Sequence, residues 1–409
     1  MLMYSRYLLS ASGFFERIFM TLLYSLVQML FWAAYAIVYG YVSVYLLGSG
    51  FSSTLEGTIV ALSAVFAALL QPYLAEKTDR AGGKAVKKVL FLLSLLFLLV
   101  VILLFVMKPE VGFGHVMTGV LYCTAILLLQ AATPFVYSLG TVSARSGLSL
   151  NYGLARGLGS AGYSIASFLA GRAINKVGIK FIPGGSIILL ILLLVVVLVF
   201  PFPDAARVTE SEEERAAEKK ESFFKKYPQF ALVILGTVCL YTTHMMVNTF
   251  GFQIVTSKGG GNAELGVGTA LAALTEIPVN IIFGHFQKKV KPKVWFIVSG
   301  LFYVVRAAGY LFLPSVGGYY AMQFLQLSSW AVIGIVSIFY VSSVMAPEDE
   351  VKGQAFFTMA LSVATVVSSL IGGPLIDSFG ISAMLTVSLA SAIAGTLIIA
   401  AAFLKRRKV

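Results

Sequence analysis

The chain has 409 residues, 58% of them hydrophobic and only 12% charged, with a net charge of +12. An ordinary soluble domain carries about 25% charged residues, so this composition excludes a disordered chain and a soluble enzyme. The apolar residues fall in long runs such as Val89–Met107 and Ile187–Phe200, not in the short alternating segments of a barrel. An α-helical integral membrane protein is expected, with the lipid bilayer as its solvent.

Twelve spans are predicted, at roughly 20–47, 54–75, 87–107, 114–140, 152–175, 181–201, 228–256, 264–287, 293–313, 317–345, 352–376 and 380–404. No small-residue cleavage site precedes the first, which is expected to stay in the membrane. It carries Trp32 and Tyr35 as candidate lining residues, with Tyr39, Tyr41 and Tyr45 nearer its end as interfacial anchors. Glu56 falls near the outer mouth of the second span. A short basic turn with Asp79 and Arg80 follows.

The fifth span opens with Arg156, four residues after Tyr152 and two turns before Tyr163 on the same face. An arginine fork donates to hydroxyls or carboxylates, and an aromatic face stacks on a sugar or base. An arginine snorkelling to lipid phosphate is the plainer alternative. The glycine-rich run 153–162 fits close helix packing. Between the sixth and seventh spans, residues 203–227 mix charges at helical spacing and read as a solvated cytoplasmic linker between an N-terminal six-helix bundle, 1–202, and a C-terminal one, 228–409.

The seventh span carries His244 and Asn248 one turn apart. The eighth carries Glu276, then Pro278, which suggests an irregular helix, and Asn280. The ninth carries Arg306. The tenth carries Gln323, Gln326, Ser329 and Trp330 along one face. Glu276 is the acid lying well inside a span. A carboxyl there binds a proton or pairs with a cation, and Arg306 is the available cation. Alternation between the two couples proton movement to conformational change. A permanent ion pair docking the eighth span on the ninth is the alternative. His244 reads first as a hydrogen-bonded bundle residue, with a switch as the alternative. Glycines and a proline at 372–374 fit close packing, with Asp377 at the outer end of the eleventh span.

An even number of spans puts both termini on one side. Twenty-three of the 30 lysines and arginines then fall on that side and five on the other, with Arg156 and Arg306 inside spans. The positive-inside rule makes the richer side, with both termini, cytoplasmic, and a location in the cytoplasmic membrane is expected. Cys123 and Cys239 lie in apolar runs, so neither a disulfide nor a metal site is expected. No Walker A motif, haem cluster or potassium-filter loop occurs. No catalytic residues, no cofactor and no nucleic-acid partner are therefore expected.

These residues resemble the major facilitator superfamily, and within it the group around lactose permease and related oligosaccharide or nucleoside proton symporters. Gln71-Pro72 with Thr78–Lys84 is similar to the loop between the second and third helices of that superfamily, with Ala75 in place of its first glycine. Asn151–Tyr163 is similar to the fifth-helix signature, and Thr275–Pro278 and Val304–Gly309 look like the coupling segments of the eighth and ninth helices. The resemblance implies twelve helices in two six-helix bundles with a site near the midplane. It implies solute recognition by Arg156 and Tyr163, binding and coupling by Glu276, coupling by Arg306, and a gating loop at Asp79 and Arg80. The chain departs from the group at Tyr137, where the group has a glutamate, and at Gln326 and Ser329, where it has a histidine and a glutamate. His244 falls near the group's seventh-helix aspartate.

The leading reading is a secondary transporter that moves a small polar solute, a saccharide or a nucleoside, in symport with protons by alternating access. A monomer is expected. The alternative is a drug or metabolite exporter exchanging protons on the same fold. A non-transporting receptor is the third reading, and the chain shows no added signalling domain to support it.

Overall fold

The computed structural model describes residues 2–81, 83–107, 112–145, 148, 150–201, 223–286 and 291–404, with side chains throughout these except at 2–16, 79–81, 83, 144–145 and 280–286. Most of the expected linker lies outside the described residues, as do the side chains of Asp79, Arg80 and Asn280. Among the described residues there is no strand.

The first pass is α1 (Leu2–Val38) followed by a short α2 (Val42–Gly48). Then come α3 (Ser53–Ala81), α4 (Gly83–Val106), α5 (Phe113–Arg145), α6 (Tyr152–Val177) and α7 (Phe181–Val199). The second half holds α8 (Phe223–Lys226), α9 (Pro228–Thr249), α10 (Gly251–Thr256), α11 (Asn262–Phe286) and α12 (Pro292–Phe312). It closes with α13 (Val316–Phe324), a 3-10 turn at Leu325–Ser328, α14 (Trp330–Val344), α15 (Pro347–Phe379) and α16 (Ile381–Leu404). Among the described residues, ten stretches are long and apolar enough to cross a membrane. Two further long helices, α6 and α11, lie outside that set and are the ones that hold Arg156 and Glu276. Together they give twelve passes. Side chains such as Leu69, Val106, Ile188, Leu198 and Phe312 are more than half exposed, as a lipid-facing surface requires.

Among the described residues three passes are broken. The first turns at residues 39–41 around Gly40, and the seventh at Phe250 before Gly251. Both are first helices of their half, and both end in a short further helical piece. The tenth tightens to 3-10 geometry between α13 and α14. In contrast α11 continues through Pro278. The irregularity expected there is absent, because one missing N–H does not by itself end a helix held on both sides.

The chain forms two compact units. One comprises Met1–Tyr39 with Phe66–Glu210, and the other Gly40–Val65 with Ser211–Val409. In the first unit α1 packs on α6 and α7, and α4 on α5 and α7. In the second, α9 packs on α15 and α16, and α12 on α14 and α16. Numbered by pass within each half, these are the same four pairs, so the packing repeats. The ends of the fifth passes repeat as well: Gly178 after α6 has φ 79° and Gly380 after α15 has φ 82°, positive values that favour glycine.

The glycine-rich stretches pack closely, as their sequence suggests. A Cβ on Gly162 would stand 2.7 Å from the carbonyl oxygen of Met29, and one on Gly395 would stand 2.7 Å from that of Gly236. The second unit buries an aromatic core around Phe230, Phe296, Tyr340 and Phe357. Near it, Asp349 accepts hydrogen bonds from Lys226 at 2.6 Å and Tyr227 at 2.8 Å, tying the start of α15 to the approach to α9.

Candidate functional site

The first unit builds an arginine set among rings. On α1, Tyr24, Gln28 and Trp32 succeed one another at four-residue spacing and so share a face. Tyr24 donates to the carbonyl of Val136 at 3.2 Å, and Gln28 donates to the Tyr24 hydroxyl at 2.6 Å. Trp32 donates its indole N–H to Gln28 Oε1 at 2.9 Å. This ladder fixes the indole. Gln28, fully buried, escaped the sequence reading although it is a lone amide in an apolar run.

Arg156 of α6 stands over this indole, its guanidinium carbon 5.0 Å from the Trp32 ring centroid and 4.6 Å from that of Tyr137. Tyr35 is 5.1 Å from Trp32 and 6.5 Å from Tyr163, ring centre to ring centre. Four predicted residues, Trp32, Tyr35, Arg156 and Tyr163, are thus brought together. Where the sequence resemblance leads one to expect an acid beside Arg156, the face of Tyr137 stands instead, and the contact is cation–π. Gly159 makes this possible, since a Cβ there would lie 2.9 Å from Trp32 Cδ1. A half-buried arginine framed by ring faces can stack a planar or sugar-like solute and donate hydrogen bonds to its oxygens.

The second unit builds a polar network around Arg306, which is 3% exposed. Its Nε donates to the Met322 carbonyl at 2.9 Å and its NH1 to Ser329 Oγ at 2.9 Å. Its NH2 donates to Tyr310 Oη and to Gln326 Oε1, both at 3.2 Å. Gln326 in turn donates its amide to Glu276 Oε1 at 3.1 Å. Tyr310 donates to Gln323 Oε1 at 3.1 Å, and Gln323 to Tyr319 Oη at 2.8 Å. Glu276, Arg306, Gln323 and Gln326 therefore belong to one network, which the sequence reading had assigned to three separate spans. Tyr310 and Tyr319 were missed, because tyrosines in spans read as packing or anchors.

The break in the tenth pass explains how Gln326 and Ser329 meet Arg306. The 3-10 turn at Leu325–Ser328 shifts the helical face, and a tight turn inside a helix is a frequent mark of a functional position. Ser299 donates to the freed carbonyl of Ser329 at 2.8 Å.

His244 lies beside this network as a stacked group. Its ring is parallel to that of Trp330 within 6°, with centroids 4.1 Å apart. Its Nε2 lies 2.8 Å from the Asn248 side-chain amide nitrogen, within hydrogen-bond distance. Its buried Nδ1 has no hydrogen-bond partner, and neither has the nearby buried Tyr303 hydroxyl. Asn248 is exposed. Among the described residues no cluster of His, Cys, Asp and Glu could hold a metal ion.

Solved membrane transporters share this fold. The nucleoside transporter NupG superposes with a TM-score of 0.74 at 13% identity, covering 96% of this chain and 100% of its own. A D-xylose-proton symporter gives 0.68 at 13% identity over 94% and 97%. A bacterial homologue of the iron transporter ferroportin in its inward-facing state gives 0.73 at 13% identity over 95% and 99%. At such identity the likeness is one of fold. No curated protein sequence matches the chain. The model of the MFS_1 like family matches residues 21–389, so the chain belongs to that family, a family of membrane transporters and not of enzymes.

Proposed function

We propose that the protein is a secondary transporter that carries a small polar solute, a saccharide or nucleoside, in symport with protons by alternating access. The observation that carries this reading is the Gln326 amide, which joins a membrane-embedded carboxyl, Glu276, to a buried arginine, Arg306. Protonation of Glu276 removes the charge that this amide answers. The network around Arg306 then relaxes, and that change favours the loaded, reorienting state.

Arg156 with Trp32, Tyr35, Tyr137 and Tyr163 is the solute-recognition set. Its ring faces suit a sugar or a nucleobase, in keeping with the nucleoside and xylose transporters of the same fold. His244, Asn248, Asn280, Gln323 and Gln326 are further candidate solute contacts, and Asp79 and Arg80 a gating turn. The bias of lysine and arginine toward one set of loops supports a cytoplasmic side that holds both termini, and with it a location in the cytoplasmic membrane. Residues 1–202 and 228–409 would form the two bundles, joined by a charged linker. A monomer suffices.

The test is uptake of radiolabelled uridine and xylose by proteoliposomes under an imposed inward proton gradient. Accumulation that collapses with a protonophore is expected, and Glu276→Gln is expected to abolish accumulation while leaving downhill exchange. Accumulation by that variant at the wild-type level would remove Glu276 as the coupling group. Efflux driven by an opposite gradient would favour an exporter.

A further inference from the structure

Within the second unit a second carboxyl is enclosed. Glu56, in the first turn of α3, is fully buried. Its Oε1 contacts the Ser43 hydroxyl of α2, and its Oε2 accepts from the Gln253 amide of α10 at 2.7 Å. Ser43 Oγ also lies 2.5 Å from the carbonyl oxygen of Thr249, at the break between α9 and α10. No lysine or arginine takes part.

The hydrogens in this chain can be counted. Three contacts run in line: Thr249 carbonyl to Ser43, Ser43 to Glu56, and Glu56 to Gln253. Each needs one hydrogen. The carbonyl has none to give, the serine hydroxyl has one, and the glutamine amide directs one at Glu56. The third has to come from Glu56 itself. The serine hydrogen goes to the Thr249 carbonyl, and the carboxylic O–H goes to Ser43. Turning the Gln253 amide over removes one hydrogen from the count and makes the shortage worse.

The surroundings agree with a neutral acid. The charged group facing Glu56 is Asp377 of α15, whose carboxylate already accepts from the backbone N–H of Ser53 at 3.1 Å and of Thr54 at 2.7 Å, and from the Thr54 hydroxyl at 2.6 Å. It is held at the N-terminus of α3, where a negative charge is stabilised, and it opposes a second negative charge beside it. The elements α2, α9 and α10 contribute only the uncharged Ser43, Thr249 and Gln253.

We propose that Glu56 is a second proton-binding site, which carries its proton while Ser43 and Gln253 are closed around it and releases the proton when that contact opens. Its part in transport rests on the transporter reading above, whose charge bias puts this end of the helices outside; the protonated state rests on the hydrogen count alone. The solute-coupled proton at Glu276 and the proton at Glu56 are then separate.

The test is infrared spectroscopy of the full-length protein in lipid nanodiscs across a pH series, together with its thermal unfolding midpoint. A carbonyl stretch of a buried, protonated carboxylic acid is expected at neutral pH. It should be lost in Glu56→Gln and kept in Glu276→Gln. Glutamine at 56 can donate to Ser43 and accept from Gln253, so this variant should fold. Because the closed state holds a proton that the unfolded chain gives up, the wild-type midpoint should fall relative to Glu56→Gln as pH is raised. Identical carboxylic-acid spectra and parallel pH profiles for wild type and Glu56→Gln would overturn the proposal. A band present without uptake of uridine or xylose sinks the saccharide-or-nucleoside reading and leaves the proton site standing, whereas uptake without the band does the reverse.

Discussion

Gln326 donates its amide to Glu276 at 3.1 Å while its carbonyl oxygen accepts from the buried guanidinium of Arg306. One neutral side chain thus reports the charge of an acid to a base. Leucine has nearly the same shape and neither hydrogen bond. Gln326→Leu is expected to cut proton-driven accumulation at least about tenfold while gradient-free exchange persists. Each unmade bond to a charged group costs about 1.5–3 kcal/mol, and about 1.4 kcal/mol is tenfold. Paired uptake and exchange assays in proteoliposomes check this; equal losses in both would make Gln326 a plain binding residue.

Arg156 lies over two ring faces, a geometry that uses the planar guanidinium and not merely its charge. Lysine keeps the charge and loses the fork and the stacking. Arg156→Lys is expected to raise the KM for the transported solute about tenfold or more, since a desolvated cation–π contact contributes about 2 kcal/mol. Tyr137→Phe keeps the ring face and should change KM little, whereas Tyr137→Leu should approach the effect of Arg156→Lys. A Tyr137→Leu variant with wild-type KM would show that the ring only packs.

Much of this was legible in the sequence because hydropathy over long windows is a strong signal. Ten of the passes follow from it, and with them the setting of Arg306 inside a span; the tight glycine packing follows from runs of small residues. The helix breaks were not legible. Gly40 and Gly251 are compatible with a helix, and only tertiary partners such as Ser43 at the Thr249 carbonyl decide that it ends there. Glu56 read as a mouth residue because its enclosure comes from Ser43, 13 residues away, and Gln253, 197 residues away. The network around Arg306 was half visible. Its amides stood out as polar residues in a span, but the 3-10 turn that aims them has no sequence mark.

Glycines on α6 differ sharply in what surrounds them. At Gly162 a Cβ would press on the backbone of Met29, with its carbonyl oxygen at 2.7 Å and its Cα at 2.9 Å, while at Gly157 nothing lies within 4 Å. Backbone cannot give way as a side chain can, so Gly162→Ala is expected to destabilise by about 1–3 kcal/mol. Gly157→Ala should be neutral or stabilising by up to about 1 kcal/mol, since alanine is the better helix former. Thermal unfolding of both variants in the same detergent gives the comparison. The opposite order would mean that α1 and α6 do not pack as described.

Asp349 is the common acceptor for Lys226 and Tyr227, and the Tyr227 hydroxyl accepts in turn from the Ala346 backbone N–H at 3.1 Å. Loss of the carboxylate therefore disturbs two donors and the entry into α15, whereas loss of the lysine disturbs one. Asp349→Asn is expected to lower the unfolding midpoint by a few degrees, and Lys226→Met by less. The hydrogen bond to Asp349 holds the Lys226 ammonium above the usual lysine range. A raised lysine contributes its stability fully below the ordinary lysine value, and loses it only as pH climbs through the raised one. The deficit of Lys226→Met should then stay constant from neutral to mildly alkaline pH and shrink only in strong alkali. Unfolding midpoints measured along that pH series decide the matter, and a deficit that vanishes near neutrality would mean the pair does not form.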